Sequence, residues 1–367
     1  MKRRILVILE AGRAMPSGMT RGWIYREYFQ NAGYKVRFVH RCSPTLCTLM
    51  GTPPAYLRLL MNAGLRWLLS RIQNLYCRVS ERVLVRLAKR YDVVYMSKIT
   101  SDVFVERLKK GTAARLVLDF GDAVWLRGKS AAFDKVLQCV DAVTTDNEIT
   151  AEYVRRVKSS CAIIPDCPQV ELFDQRRTKR DPDPATITLG WIGSPSTLHN
   201  LYLIWEPLEK LFARHDNLHL RLVGTGPDFS KFLPPFERVR FSCRSRYGQA
   251  EMIEEVLKMD VGLFPLQDVE ASRTRGVLKA TVYMSGGAAV VCSPIGQCVD
   301  LIQEGVNGFL AATPEEWVRK IERLVESTAL RQTVARNGLE QVRREFTVEK
   351  SFDKLIAVLD PDRAASP

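Results

Sequence analysis

What this chain lacks narrows its class. Nowhere do roughly 18 apolar residues follow one another, so no segment reads as a bilayer-spanning helix. The opening MKRRILVILEAG starts like a secretion signal, but Glu10 cuts its apolar run too short for one. Ile5 to Leu9 reads better as a first buried strand. Histidine is scarce: His40, His199, His215 and His219 are all there are, and none has metal-ligand spacing. His215 and His219 stand four apart, but an Asp216-Asn217 turn between them breaks any helix. The nine cysteines are scattered, odd in number and without a C-x-x-C pair, which excludes a disulfide framework and fits a reducing cytosol. Neither G-x-G-x-x-G nor the P-loop pattern occurs, which speaks against NAD and ATP folds.

Acids are also scarce, but only in one half. Residues 1–165 hold 28 Lys and Arg against 13 Asp and Glu, whereas the remainder holds 26 against 28. The formal charge of +13 therefore belongs to the N-terminal half and suggests an anionic surface or acceptor there. At 367 residues the chain exceeds the roughly 250–300 at which a single core stops growing, so two domains are expected. A hydrophobic content of 46% leaves an ordinary globular core for each.

Much of the surplus charge lies in residues 54–90, which are helical in period. Arg58, Arg66, Arg71, Arg78, Arg82, Arg86, Lys89 and Arg90 are set among Leu, Met, Trp and Tyr, and Glu81 is the only acid. A helix lying in an anionic membrane interface, with Trp67 and the leucines inserted, has this pattern. So does a helix packed on a sheet with its basic face in water, and both readings stay open.

Around that segment, strands alternate with helices. Ile5 to Leu9, Tyr34 to His40, Asp92 to Tyr95, Arg115 to Phe120, Val140 to Thr144 and Ala162 to Pro165 read as strands. After the first comes a loop rich in Gly, Pro and Ser that contains Ser17, and Arg21 stands at the helix start that follows, a place suited to an anion. Asp119 and Asp122 fall just past a strand end in DFGDAVW, as a base, a metal pair or helix-start acids. Residues 166–184, proline-rich and without period, read as a linker. From 185 the alternation restarts with Thr186 to Ile192, Leu218 to Val223 and a short Val239 to Phe241, and Val348 to Leu359 reads as a last helix.

The stretch from Asp260 to Leu310 concentrates the chemistry. Val261 to Leu266 has the length of a buried strand, and a polar loop follows. A helix is expected from about Arg275 to Ser285; Gly286-Gly287 stops it, and Ala288 to Cys292 makes a second buried strand. In such a unit ligands collect beyond the carboxyl ends of the strands. The loop and first helical turn carry Arg273, Arg275 and Lys279, the last two on one face. Cations at a helix start oppose the macrodipole, at about 0.3–1 kcal/mol each, unless an anion offsets them. Neutralisation by Asp268 and Glu270 on a solvated loop is the alternative. The turn Gly193-Ser194-Pro195-Ser196-Thr197 cradles a diphosphate or serves only as a cap, and Gly224-Thr225-Gly226 poses the same choice.

Together these pieces resemble the GT-B glycosyltransferases of the retaining family 4, the glycosyl transferases group 1. FPLQDVEASRTRGVLKATVYMSGGAAVVCSPIGQCVDLIQEGVNGFL is similar to the donor-site segment, with Gly296, Gly305, Asn307 and Gly308 in matching positions. LGWIGSPSTLHNL, LVGTGP and IIPDCPQVELF resemble the first strand and glycine turn of the nucleotide domain, its second strand end, and the linker segment. LDFGDAVW and TTDNEITAEYVRR resemble pieces of one branch, whose donor segment reads R-G-K-x-x-x-K-x-x-x-Y-M-A. Arg273, Arg275, Lys279, Tyr283 and Met284 line up with it. Two glutamates of the wider family pattern are absent, with Thr274 and Val282 in their places, as is an R-x-x-x-x-K pair after the first strand of the nucleotide domain.

The resemblance implies an α/β fold of two Rossmann-like domains facing a cleft. Residues 1–165 would be the acceptor domain, 166–184 the linker, 185–347 the nucleotide-sugar domain, and 348–367 a tail helix crossing back to the first. It implies a hexosyltransferase-like enzyme that moves a sugar from a nucleotide-sugar, with retention, to a polysaccharide, lipopolysaccharide or lipid-linked acceptor. Gly193, Ser194, Thr197, Arg275 and Lys279 would hold the donor diphosphate, and Gly224, Arg273 and Tyr283 the nucleotide or sugar. Arg21 and Ser17 would touch donor or acceptor, and Asp119 or Asp122 would be catalytic. With cations stabilising the leaving group, no metal or other cofactor is expected. The expected partners are the donor, an anionic or lipid-linked glycan and an anionic membrane surface. Nucleic acid is not among them, because too few aromatics line a basic groove. The expected location is the cytoplasm, peripheral on the inner face of the plasma membrane. The missing glutamates leave one alternative: a non-catalytic or degenerate GT-B subunit that binds a nucleotide-sugar or partners an active glycosyltransferase.

Overall fold

A computed structural model describes residues 2–12, 16–51, 63–128, 130–177, 186–231, 233 and 239–364. The chain forms two α/β units, one of residues 1–166 with 348–367 and one of residues 167–347. Four helices matter below: α1 (Ala63–Ala88), α2 (Val170–Arg177), α3 (Leu278–Gly286) and α4 (Val348–Leu359).

The first unit is built on six parallel strands: β1 (Arg4–Leu9), β2 (Lys35–His40), β3 (Val93–Ser97), β4 (Arg115–Asp119), β5 (Ala142–Thr145) and β6 (Cys161–Ile163). Their order is β2-β1-β3-β4-β5-β6. Ile5 to Leu9 lose nearly all exposure because β1 is covered on both faces, which is why it reads as an unbroken apolar run rather than an alternation. Of the helix expected over 54–90, residues 63–88 are seen in α1; residues 52–62, with Arg58, lie outside the described residues. Leu69, Gln73, Cys77, Glu81, Leu84 and Ala88 recur every three or four positions and form its buried stripe. Within the same unit, α4 sets Phe352 edge-on to Phe29, ring centres 5.0 Å apart, and Arg3 pairs with Asp360 at 2.9 Å.

The second unit has β7 (Ile187–Ile192), β8 (Leu218–Val223), β9 (Phe241–Arg244), β10 (Val261–Phe264), β11 (Ala289–Cys292) and β12 (Phe309–Leu310). The order β12-β11-β10-β7-β8-β9, read from its far edge, is the 3-2-1-4-5-6 arrangement of dinucleotide-binding sheets. The strand order reverses between the parallel strands β7 and β10, so the crevice at their carboxyl ends is where such a sheet receives a ligand.

Two local expectations are corrected. The stretch taken as linker contains α2, because Val170 and Phe173 find places in the core of the second unit and α2 packs against α3. The helix placed from Arg275 begins at Leu278; a short helical turn, Glu270–Arg273, precedes it. Gly276 lies in the break between the two, as its low helix propensity favours. At its far end α3 stops as the sequence indicates, with Gly287 left-handed at φ 79°.

Candidate active site

In the second unit the site is built on the end of β7. The chain turns at Gly193 into a helical segment that starts at Pro195. A Cβ on Gly193 would lie 2.4 Å from the Trp191 ring and 2.8 Å from Thr197 Oγ1. Gly224, after β8, holds φ +84°, and a Cβ there would come within 2.1 Å of the Gly193 carbonyl oxygen. The two turns therefore pack backbone to backbone, as only glycine permits. Thr197 Oγ1 accepts the Ser194 N–H at 3.1 Å and donates to the Ser194 carbonyl at 3.0 Å. Thr197 thus fastens the turn, while the Ser194 and Ser196 hydroxyls, 2.9 Å apart, face solvent.

Lys279 enters this place from the first turn of α3. Its Nζ lies 5.3 Å from the centre of the Trp191 ring, 5.6 Å from that of Phe264, and 3.4 Å from Thr197 Oγ1. Trp191 belongs to β7 and Phe264 ends β10, so the ammonium group sits at the reversal point of the sheet. Desolvation, with the Arg275 charge nearby, lowers its pKa from the ordinary 10.5 to about 7. Among the described residues no carboxylate pairs with Lys279 or Arg275, both half-buried. Nor does α3 have a side-chain cap or an acid in its first turn. Two cations beside an uncapped helix start lack a counter-ion.

The other residues expected to bind the donor lie elsewhere. Arg273 pairs through both nitrogens with Asp268, at 2.7 and 3.0 Å, on an exposed loop. For that arginine the solvated-loop alternative describes what is seen. Tyr283 is wholly buried, its hydroxyl accepting the Ile192 N–H at 2.8 Å and donating to the Leu263 carbonyl at 3.2 Å. It is a strut joining α3 to β7 and β10, and a ligand contact is corrected to a core role. Thr274 and Val282, in the places of the family glutamates, are both buried.

The first unit gathers charge at the carboxyl ends of its own strands. Arg21 is buried, and its guanidinium donates to both oxygens of Asp119, at 2.6 and 2.8 Å, to Asp166 at 2.9 Å and to the Ile164 carbonyl at 3.1 Å. Desolvation works to lower its pKa, but Asp119 and Asp166 outweigh that and hold it raised. Asp119 also accepts from Thr144 Oγ1 at 2.7 Å. Arg21 and Asp119 are therefore spent on each other. Where a ligand contact and a catalytic base are expected, the two form a buried ion pair fixing the loop after β1 to β4 and to the residues after β6. Ser17 lies in the same turn, its carbonyl accepting the Arg21 N–H at 3.0 Å.

Asp122 differs: its side chain keeps 49% of its exposure and pairs with Lys98. Lys98 holds φ +59°, a left-handed conformation uncommon away from glycine. Asp146 is buried, and desolvation raises its pKa well above the usual carboxylate range, with Arg21 opposing and Asp166 adding to the rise. Asn147, not Asp146, caps the next helix, its side-chain oxygen accepting the Thr150 N–H at 2.9 Å. Lys98, Asp146, Asp166, Trp191 and Phe264 escaped the reading of the sequence. The signal that finds four of them is position: Phe264 ends its strand, and Lys98, Asp146 and Asp166 each stand one to three residues beyond theirs. Among the described residues one group of potential metal ligands meets, His215 with Glu322 and Glu326, but Arg214 already donates to Glu322 at 3.1 Å.

Residues 186–327 match the family described as glycosyl transferases group 1. The whole chain is similar to HepE of Anabaena in complex with UDP-glucose, at 13% identity and TM-score 0.69, over 98% of this chain and 100% of that one. It is similar to a glycosyltransferase from Rickettsia africae, at 13% and 0.69, over 98% of each. A third likeness is to sucrose-phosphate synthase from Thermosynechococcus elongatus, at 16% and 0.66, over 99% of this chain and 100% of that one. No curated protein matches the sequence. At such identities the likeness is one of fold, and the fold is GT-B. Within it, the family match falls on the second unit.

Proposed function

We propose that this chain is a retaining glycosyltransferase that moves a hexose from a nucleotide-sugar to a glycan acceptor carried on lipid or polysaccharide. One observation carries the reading: Lys279, half-buried between two aromatic rings at the reversal point of a dinucleotide-type sheet, has no carboxylate partner among the described residues. A diphosphate supplies the missing charge, with Arg275 and the open N–H groups of α3 as further donors. The ligands of the Anabaena structures, UDP and UDP-glucose, belong to the same chemical class. In transfer, the bond from the anomeric carbon to the diphosphate breaks and one to an acceptor oxygen forms. The two cations stabilise the leaving diphosphate as its charge grows, without calling for a metal. Asp122, half exposed beside Lys98, is the aspartate placed to meet a sugar, rather than the buried Asp119.

The acceptor side rests on α1. Its 26 residues extend about 39 Å. Trp67, Leu68, Ile72, Leu75, Val79 and Val83 are exposed on its outer face, Trp67 by 63% and Leu75 by 64%. Arg66, Arg71, Arg78, Arg82 and Arg86 are exposed too. Its only acid, Glu81, is buried and pairs with Arg41 at 2.8 Å, so α1 itself puts no carboxylate on that face. Apolar side chains among exposed arginines fit an anionic bilayer surface, where a lipid-linked acceptor would be found. Among the described residues no helix is long and apolar enough to cross a membrane.

Calorimetric titration of the wild type and Lys279→Ala with a panel of nucleotide-sugars tests the donor site. Binding by the wild type that is lost in the variant supports it. Absence of binding by the wild type would favour the non-catalytic subunit suggested by Thr274 and Val282.

A further inference from the structure

Three of the nine cysteines meet in the first unit, and sugar transfer uses none of them. Cys42 follows β2 and Cys77 projects from the buried stripe of α1; their sulfurs lie 2.9 Å apart although 35 residues separate them. Both are free thiols, exposed by only 6% and 8%, packed with Ala11. Cys47 packs against them from the side and is partly exposed, with Gln73 Nε2 at 3.4 Å from its sulfur. A disulfide requires side chains that face each other, and sulfurs already 2.9 Å apart have little way to go to the roughly 2.05 Å of the bond.

We propose that Cys42 and Cys77 form a reversible disulfide under a two-electron oxidant, a peroxide or a small-molecule disulfide, and that this bond fastens the inner face of α1 to the end of β2. With hydrogen peroxide, one thiolate attacks a peroxide oxygen and the O–O bond breaks, leaving a sulfenic acid and one water. The second sulfur then attacks the sulfenic sulfur; the S–S bond forms and hydroxide departs, taking a proton to become the second water. Both thiol protons end on the waters, and the peroxide is the species reduced. The surroundings set the order. The Cys42 thiol donates to Glu10 at 3.3 Å, and burial with that carboxylate pushes its pKa up. Cys42 is thus disfavoured as the thiolate that attacks first.

The bond would hold α1 from beneath while leaving every outer arginine and apolar side chain unchanged. Full-length protein treated with hydrogen peroxide, and separately with glutathione disulfide, is alkylated, digested without reduction and mapped by mass spectrometry. The expected major product is a Cys42–Cys77 peptide, lighter by two hydrogens than its reduced parts, released by dithiothreitol and retained in Cys47→Ser. Cross-links mainly to Cys47, or between the buried neighbours Cys292 and Cys298, would overturn the assignment. So would recovery of Cys42 and Cys77 as alkylated thiols once Cys47 is oxidised. Neither a nucleotide-sugar nor a vesicle enters this measurement, so its outcome is separate from that of the donor titration.

Discussion

Lys279→Ala is the perturbation on which most turns, and its effect can be worked out with sign and size. In the free protein Lys279 has a pKa of about 7. A diphosphate favours the ammonium form, so binding draws on the protonated fraction and raises the pKa. That fraction is about nine-tenths at pH 6 and about one-tenth at pH 8, so donor affinity should fall roughly tenfold between them. Binding at pH 8 should also take up close to one proton per donor. A nucleotide-sugar is the right ligand, because its diphosphate is a diester with no proton to lose in this range. Calorimetry at pH 6, 7 and 8, in two buffers of different ionisation enthalpy, reads affinity and proton uptake together. A hydrogen bond to a charged group contributes about 1.5–3 kcal/mol, so Lys279→Ala should weaken binding about 10- to 150-fold at pH 6. The variant should also lose the pH dependence. Wild-type affinity that is flat or rising from pH 6 to 8, with a variant that binds equally well, would refute the reasoning.

Four further outcomes follow from the same structure. Lys279→Met should raise the melting temperature at neutral pH while weakening donor binding as Lys279→Ala does: a lysine depressed to about 7 binds fewer protons folded than unfolded, so its penalty, on the order of 2–5 kcal/mol, is largest below pH 7 and fades towards 10.5. Arg21→Ala should cost about 3–5 kcal/mol in chemical denaturation, because Asp119 and Asp166 are left buried without their cation; a change under 1 kcal/mol would contradict the pairing. Tyr283→Phe should lower stability by about 1–3 kcal/mol through the stranded Ile192 N–H, with donor affinity unchanged within about twofold. Replacing Arg71, Arg78 and Arg82 together by alanine should weaken binding to anionic vesicles by about 3 kcal/mol, on the order of 100-fold, read by flotation at constant salt.

The central strands of both sheets could be read from the sequence because parallel strands covered on two faces are written as short unbroken apolar runs, as in Ile5 to Leu9 and Ala289–Cys292, whereas the two-residue edge strand Phe309–Leu310 could not. Arg275 and Lys279 were legible for a local reason: cations at a helix start are electrostatically odd wherever they occur. What escaped was long-range or featureless. The partners of Arg21 stand 98 and 145 residues away, so nothing near it told a buried pair from a ligand contact. Tyr283 sits on a helix buried from Ala280 to Gly286 all round, and a helix without a polar face gives no phase from which to aim a side chain. Helix α2 hid because only Val170 and Phe173 anchor it, too few for a period to emerge beside flanking prolines. Arg273 could have gone either way until Asp268 was seen beside it.

The place of α4 bears on how this protein is made. It is synthesised after all of residues 167–347, yet it completes the unit that begins with β1. On the ribosome the second unit, continuous in the chain, can close first, while the earlier one waits with Tyr34 and Phe29 uncovered until Asp360 and Phe352 emerge. The half translated first is the half that matures last, and a nascent chain stalled before residue 348 would present that unfinished surface to chaperones.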